Sequence, residues 1–245
     1  IFRVTYIKMK EIRYFYVPNA SICNELPLEE ATHAIRVLRM QQGDGMVLMD
    51  GNGFFHEAVI TMITNKRCFY EITLSVEQKR QWQRRIHIAV APTKMIERME
   101  WFVEKAIEIG VDEITFLSCD YSERKKIRID RIEKIAVAAM KQSRKAWLPV
   151  INEMTDFKHF VSQQTEVRKY ICHCYNEYEK ISIREALFAD KDMSPLLILI
   201  GPEGDFSIRE VEHAQSEGYK SATLGSSRLR TETAALYAVS MAHII

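Results

Sequence analysis

Five consecutive residues, Leu196-Leu197-Ile198-Leu199-Ile200, are all apolar and run directly into Gly201-Pro202-Glu203-Gly204. The run is far too short for a membrane helix and has the length of a buried strand. A strand that is apolar on both faces is covered on both faces, as in a parallel sheet with helices above and below. In such sheets ligands bind outside the carboxyl ends of the strands. Glycines placed immediately after this strand are therefore the first place to look for a site.

The surrounding sequence supports a parallel α/β domain over residues 86–245. Strands are expected at 86–91, 113–118, 170–174, 196–200 and 222–224, and helices at 94–109, 128–145, 207–217 and from 231 to the end. Strand and helix alternate throughout. Gly110 and Gly218 fall where helices end, in agreement with the use of glycine at C-caps. Ser207 and Glu210 have the spacing of a capping box. Thr231 is placed to cap the last helix, with Glu232 in its first turn.

Residues 9–76 read differently, as short strands at 14–17, 46–49, 55–62 and 69–76 with one helix at 29–40. Asp50-Gly51-Asn52-Gly53 is a hairpin turn, and Gly43 and Gly45 also turn strands. This pattern suits a small β-barrel. The polar stretch 77–85 reads as a linker between the two domains. Met9 is the expected start, with residues 1–8 an upstream extension lacking a signal-peptide pattern.

Whole-chain properties exclude several classes. The 245 residues carry a net charge of +1, so attraction to a polyanion must come from local patches. No run of eighteen apolar residues exists, and no membrane association is expected. The five cysteines are odd in number and lack zinc spacing, which suits a reduced cytoplasmic protein without a metal. Cys172-His173-Cys174 alternates across a strand, so its side chains cannot close on one ion; two buried cysteines around a loop-end histidine is the plainer reading. Neither G-x-G-x-x-G nor Walker A appears, and no G-x-S-x-G elbow is present.

Of the nine glycines, Gly201, Gly204 and Gly225 remain once the turns of the first domain and the helix caps are assigned. All three follow strands of the second domain and are candidates for lining a ligand pocket. Glu203 joins them, since folding alone does not explain it. Pro202 fits the second position of a type I turn with Gly204 at the fourth. Arg230 stands on a loop just before a helix N-terminus, beside the same region. Residues 124–145 hold nine Lys or Arg and two acids. That excess is either a solvated helix face or a phosphate-binding stripe that includes Arg124, Lys125 and Lys126.

Together these residues resemble the RsmE family, bacterial methyltransferases of the SPOUT class that methylate N3 of a uridine in 16S ribosomal RNA. The resemblance runs from about Met9 to the C-terminus. It rests on His33-Ala34-Ile35-Arg36-Val37-Leu38-Arg39 with Gly43-Asp44, on Ser122-Glu123-Arg124, and on Gln142-Ser143-Arg144. Gly201-Pro202-Glu203-Gly204 and Leu229-Arg230-Thr231-Glu232-Thr233-Ala234 resemble the family's loops for S-adenosylmethionine (SAM). The resemblance implies a PUA-like barrel followed by a SPOUT domain with a C-terminal trefoil knot, a homodimer, and 16S rRNA in the assembled small subunit as substrate. It implies SAM contacts from His173, Gly201, Pro202, Glu203, Gly204, Leu224, Gly225, Leu229 and Thr233. It implies RNA contacts from Arg36, Arg39, Arg124, Lys125, Lys126 and Arg144. Two departures stand out: Asp205 where the family often has Gly, and Ser227-Arg228 where it usually has Arg first. Methyl transfer to uracil N3 needs a cation for the developing oxyanion, for which Arg230 is the candidate, and a base, for which Glu232 is the candidate. A non-catalytic RNA-binding or ribosome-assembly protein of the same fold is the alternative.

Overall fold

The computed structural model describes residues 12–165, 168–189 and 193–243. The proposed start at Met9 lies outside the described residues. The chain divides into two compact units, one reaching to Lys79 and including Arg144–Trp147, the other comprising Arg80–Ser143 and Leu148 onward.

The first unit is a four-stranded sheet in the order β1-β2-β3-β4. Its strands are β1 (Tyr14–Tyr16), β2 (Gly45–Met49), β3 (Phe54–Ile63) and β4 (Cys68–Glu77). β1 runs parallel to β2, and the other pairs are antiparallel. Residues 24–26 extend the β4 edge through Leu26 N–H to Cys68 O and Tyr70 N–H to Asn24 O, at 2.9 and 2.8 Å. Phe15, Leu48, Ile60 and Tyr70 fill the core. The helix expected at 29–40 is shorter: α1 (Leu28–Thr32) passes into a π-helical turn, His33–Val37. It stops because Arg39 turns left-handed (φ 51°) and the Met40 N–H returns to the Ala34 carbonyl at 3.0 Å. Gly45 is not a turn residue but the first residue of β2. The Asp50–Gly53 turn is real, with the Asp50 carboxylate accepting from Asn52 N and Phe54 N at 2.8 and 3.0 Å. Gly53 has a second reason to be glycine: the Trp147 indole leaves no room for a β-carbon.

The second unit is a seven-stranded sheet in the order β7-β6-β5-β10-β8-β11-β9, with every pair parallel. The strands are β5 (Ile86–Val90), β6 (Glu113–Ser118), β7 (Val150–Asp156), β8 (Arg168–Cys172), β9 (Ile181–Ser182), β10 (Leu196–Ile200) and β11 (Lys220–Thr223). The helices are α2 (Ile96–Ile109), α3 (Ile129–Ser143), α4 (Phe157–Gln163), α5 (Ile183–Ala189), α6 (Ile208–Ser216) and α7 (Thr231–Ala242). β10 lies in mid-sheet, with none of its five residues more than 3% exposed. Leu197 and Leu199 pack with Phe157, Phe206 and Val211 on the α4 and α6 side. α7 packs on β5, β10 and α2. Burying one such Leu or Ile contributes about 1.5–3 kcal/mol, so β10 anchors the loop that follows it.

Four elements escaped the sequence reading: β7, α4, β9 and α5. β7 is an edge strand of mixed exposure, α4 and α5 have seven residues each, and β9 has two. None is long enough, or apolar enough on one face, to leave a periodic signal. In the expected linker 77–85, Trp82 and Arg84 are buried, and Trp82 Nε1 donates to Asp112 Oδ2 at 2.8 Å. No helix among the described residues is long and apolar enough to cross a membrane.

Candidate active site

Three adjacent strands, β10, β8 and β11, end at one cavity of about 850 Å³. That volume is within the range of small-molecule sites. Its walls come from residues 172–174, 200–205 and 222–231, with Asn176, Lys180 and Ala234. His173, Gly201, Pro202, Glu203, Gly204, Leu224, Gly225, Leu229 and Arg230 all line it. Thr233 and Glu232 do not; Thr233 is exposed on α7.

Hydrogen bonds between loops far apart in sequence hold the walls. The Thr231 hydroxyl donates to the Gly201 carbonyl at 3.0 Å. Thr231 is therefore not the helix cap: Arg230 occupies the N-cap position without a side-chain bond, and Thr231 is the first helical residue. The capping box of Ser207 and Glu210 is present, and both side chains extend it. Ser207 Oγ meets Asp120 Oδ2 at 2.6 Å, and Glu210 Oε1 accepts from Asp120 N at 2.9 Å. Glu203 Oε1 accepts from Lys94 N at 3.0 Å, which gives Glu203 the structural reason that was missing. The turn in this loop closes one residue later than expected, from Asp205 N to Pro202 O at 3.0 Å, so Pro202 is its first residue.

Gly201 and Gly204 also acquire jobs in folding. A β-carbon on Gly201 would lie 3.1 Å from the Phe206 ring and backbone, and one on Gly204 would lie 3.1 Å from Tyr121. Elimination alone thus singles out only Gly225, whose φ of 124° strains any side chain although nothing stands within 4 Å.

Asp205 explains its own departure from glycine. Its φ is 68°, in the left-handed region that favours Gly and tolerates Asp. Its carboxylate accepts from Cys174 N at 2.7 Å and from Phe206 N at 2.8 Å.

The burial expected around His173 is reversed. His173 is buried, Cys172 is half-buried and Cys174 is exposed. His173 Nε2 meets Ser221 Oγ at 2.9 Å, while Nδ1 is buried without a hydrogen-bond partner among the described residues. Burial pushes the His173 imidazole below its ordinary value, with Lys180 acting the same way and Asp205 and Glu177 opposing it. Among the described residues no group of three or more His, Cys, Asp or Glu is arranged to hold a metal.

The two catalytic candidates differ. Arg230 is exposed on the cavity wall, and its guanidinium makes no hydrogen bond or ion pair among the described residues. Glu232 is buried, with Oε1 3.8 Å from Arg98 Nε and Oε2 without a hydrogen-bond partner among the described residues. It does not face the cavity, so the geometry gives it no substrate proton to take.

The basic candidates fall in both units. Arg124 donates through Nε to Thr93 O at 3.0 Å and through a terminal nitrogen to Lys94 O, so its guanidinium braces a loop. Lys125 and Lys126 are exposed and precede α3 rather than riding on it. Arg128 pairs with Asp130, and Arg131 with Glu100. In the first unit Arg36 and Arg39 are exposed, and Arg144 lies over the Tyr14 ring at 5.2 Å. Arg39 and Arg144 share a φ of 51°.

A family profile described as an RNA methyltransferase domain matches residues 80–243, and one described as an RNA methyltransferase PUA domain matches residues 26–73. The chain belongs to this RNA methyltransferase family. The Bacillus subtilis protein named Ribosomal RNA small subunit methyltransferase E is 28% identical over 93% of this chain and 94% of its own length. A solved Porphyromonas gingivalis structure, described as a probable rRNA-methyltransferase, is 41% identical over 95% of this chain and 97% of that one, with TM-score 0.87. A Legionella pneumophila methyltransferase solved with bound SAM is 29% identical over 95% and 97%, with TM-score 0.82. The resemblance to the RsmE family and the PUA-like character of the first domain hold. Asn176, Lys180 and Ser226 also line this methyltransferase's cavity and were not singled out by sequence; Cys174, Asp205, Ser227 and Arg228, noted there for other reasons, line it too. Their common signal is position just beyond β8, β10 or β11.

Proposed function

We propose that this chain transfers a methyl group from SAM to N3 of one uridine in 16S rRNA, acting on the assembled small subunit. The observation that carries the reading is the cavity at the ends of β8, β10 and β11, with Arg230 on its wall and no protein partner for the guanidinium among the described residues.

SAM supplies the methyl group on a sulfonium sulfur, which keeps the bonding electrons when the methyl leaves. The residues present fit such a ligand. Residues 201–204 and 224–229 line the cavity, with Gly201, Gly204 and Gly225 bringing backbone without a side chain, and the wall carries both Asp205 and Arg230. As N3 passes its proton to water, charge spreads to the ring carbonyl oxygens. Arg230, exposed at the N-terminus of α7, is placed to stabilise that charge. The base is a group other than Glu232, whose carboxylate lies against Arg98.

Residues 9–76 are assigned to RNA binding and 86–245 to catalysis, with 77–85 joining them. Arg36, Arg39 and Arg144 are the contacts proposed on the first domain. Left-handed backbone at Arg39 and Arg144 is costly for non-glycine residues and often marks functional positions, which supports this. Lys125 and Lys126 are the contacts proposed on the second. A trefoil knot near the C-terminus is part of the proposal. Its support is that α7 follows β11 near one side of the sheet yet packs on β5 and β10 in its middle. A cytoplasmic homodimer is likewise proposed, supported by the exposed apolar Trp101 on α2 and Tyr237 on α7.

The test is mass-spectrometric mapping of 16S rRNA in a strain lacking this chain, with and without its restoration. The expected result is one N3-methyluridine that disappears and returns. An unchanged methylation map would overturn the reading.

A further inference from the structure

We infer that Asp205 is a specificity-determining residue that makes the cavity prefer a cationic ligand over its neutral counterpart. The inference rests on the proposed use of SAM. Donor and product differ there by one methyl group and one positive charge. The donor carries a sulfonium, an ammonium and a carboxylate, and loss of the methyl leaves S-adenosylhomocysteine, a thioether of net charge zero.

The geometry fixes a negative charge on the wall. Asp205 lines the cavity, half-buried, at the end of the loop that follows β10. Each carboxylate oxygen takes one backbone N–H, from Cys174 beyond β8 and from Phe206 in its own loop, at 2.7 and 2.8 Å. Those two bonds hold the group still and leave further lone pairs on each oxygen. The backbone itself favours glycine at φ 68°, so an aspartate here is retained at some conformational cost. The neighbouring groups already feel its charge. The Cys172 thiol is pushed up to about 12, by burial first and by Asp205 next, and Asp205 helps to raise Cys174 as well.

The other wall carboxylate does not duplicate it. Glu203 accepts from Lys94 N and helps to raise the Lys94 ammonium, so part of its charge is met by the protein. The wall cations are Lys180, Arg228 and Arg230. They suit the ligand's carboxylate, which donor and product share, and their repulsion of the donor's extra charge runs against the preference that Asp205 supplies. Of the two wall carboxylates, Asp205 is the one held by backbone N–H groups alone among the described residues, and its attraction depends on the extra charge of the donor.

The experiment is isothermal calorimetry of SAM and S-adenosylhomocysteine on the full chain, for wild type, Asp205→Asn and Asp205→Gly. Both replacements accept left-handed backbone. Amide exchange at Cys174 reports whether the clamp survives in each variant. The expected result is a fall in SAM affinity of about ten-fold, with a fall for the neutral product of less than about three-fold, since Coulomb attraction in a partly screened site acts on the charge alone. The affinity ratio should move in both variants, whatever the Cys174 amide does. Equal losses for both ligands would mean that Asp205 only shapes the loop, and would overturn the inference. So would unchanged affinities. A wild-type protein that binds neither ligand would instead overturn the proposed use of SAM.

Discussion

The Thr231 hydroxyl donates to the Gly201 carbonyl at 3.0 Å, across thirty positions of sequence. The bond joins the first residue of α7 to the first residue beyond β10. Both sides of the cavity, the 201–205 loop and the 224–230 loop, are thereby set relative to each other. Thr231 is 6% exposed, so the carbonyl has little water to turn to if the hydroxyl is removed. Thr231→Val, of nearly equal volume, should therefore cost about 1–3 kcal/mol in urea unfolding. It should also weaken SAM binding. Wild-type stability and affinity in this variant would show that the bond does not set the cavity.

Arg230→Ala separates two roles. If the guanidinium stabilises charge in the transition state, kcat should fall on the order of 100- to 1,000-fold while SAM affinity is kept. If it holds the SAM carboxylate, affinity should fall and saturating SAM should restore turnover. Arg230→Lys should recover little in the first case, because a point charge does not replace a planar fork. We expect the first outcome, with single-turnover methylation and calorimetry as the measurements.

Replacing Lys125 and Lys126 together with Ala should weaken RNA binding and reduce its salt dependence. Each lost phosphate contact lowers the slope of log affinity against log salt by roughly 0.7–0.9. Arg124 belongs to a different prediction. Two of its N–H groups go to Thr93 O and Lys94 O, so Arg124→Ala should lower stability by about 1–3 kcal/mol. An unaltered slope in the double variant would leave Lys125 and Lys126 as a solvated pair.

His173 gives a pH signature. Its folded pKa is depressed below 6.5 by burial, so the folded protein holds the neutral ring more firmly than the unfolded chain does. The contribution is fully present above about pH 6.5 and is lost as pH falls through the folded value, because the unfolded chain takes up the proton first. The limiting slope is about 1.36 kcal/mol per pH unit. His173→Asn should show a shallower decline in unfolding free energy than wild type between pH 7 and 5. Parallel curves would mean that the ring is solvated.

The sequence by itself determined the two-domain order of β-rich and α/β parts, the buried β10, the capping box at Ser207 and the placement of a ligand site after the strands. These are local properties, carried by periodicity, turn chemistry and the glycines. It also carried the family, through short motifs in a fixed order. Only the tertiary structure decided what individual residues in those motifs do. Thr231 reads as a cap but bonds Gly201. Gly201 and Gly204 read as bare ligand backbone but also make room for Phe206 and Tyr121. Arg124 reads as a phosphate contact and also braces residues 93 and 94. Glu232 reads as a base but faces Arg98 on α2. Except for Gly201, whose Phe206 stands five residues on in the same loop, the deciding partner lies thirty or more residues away. A side chain's propensity records its own backbone, whereas these partners meet only because parallel strands bring their carboxyl ends to one edge.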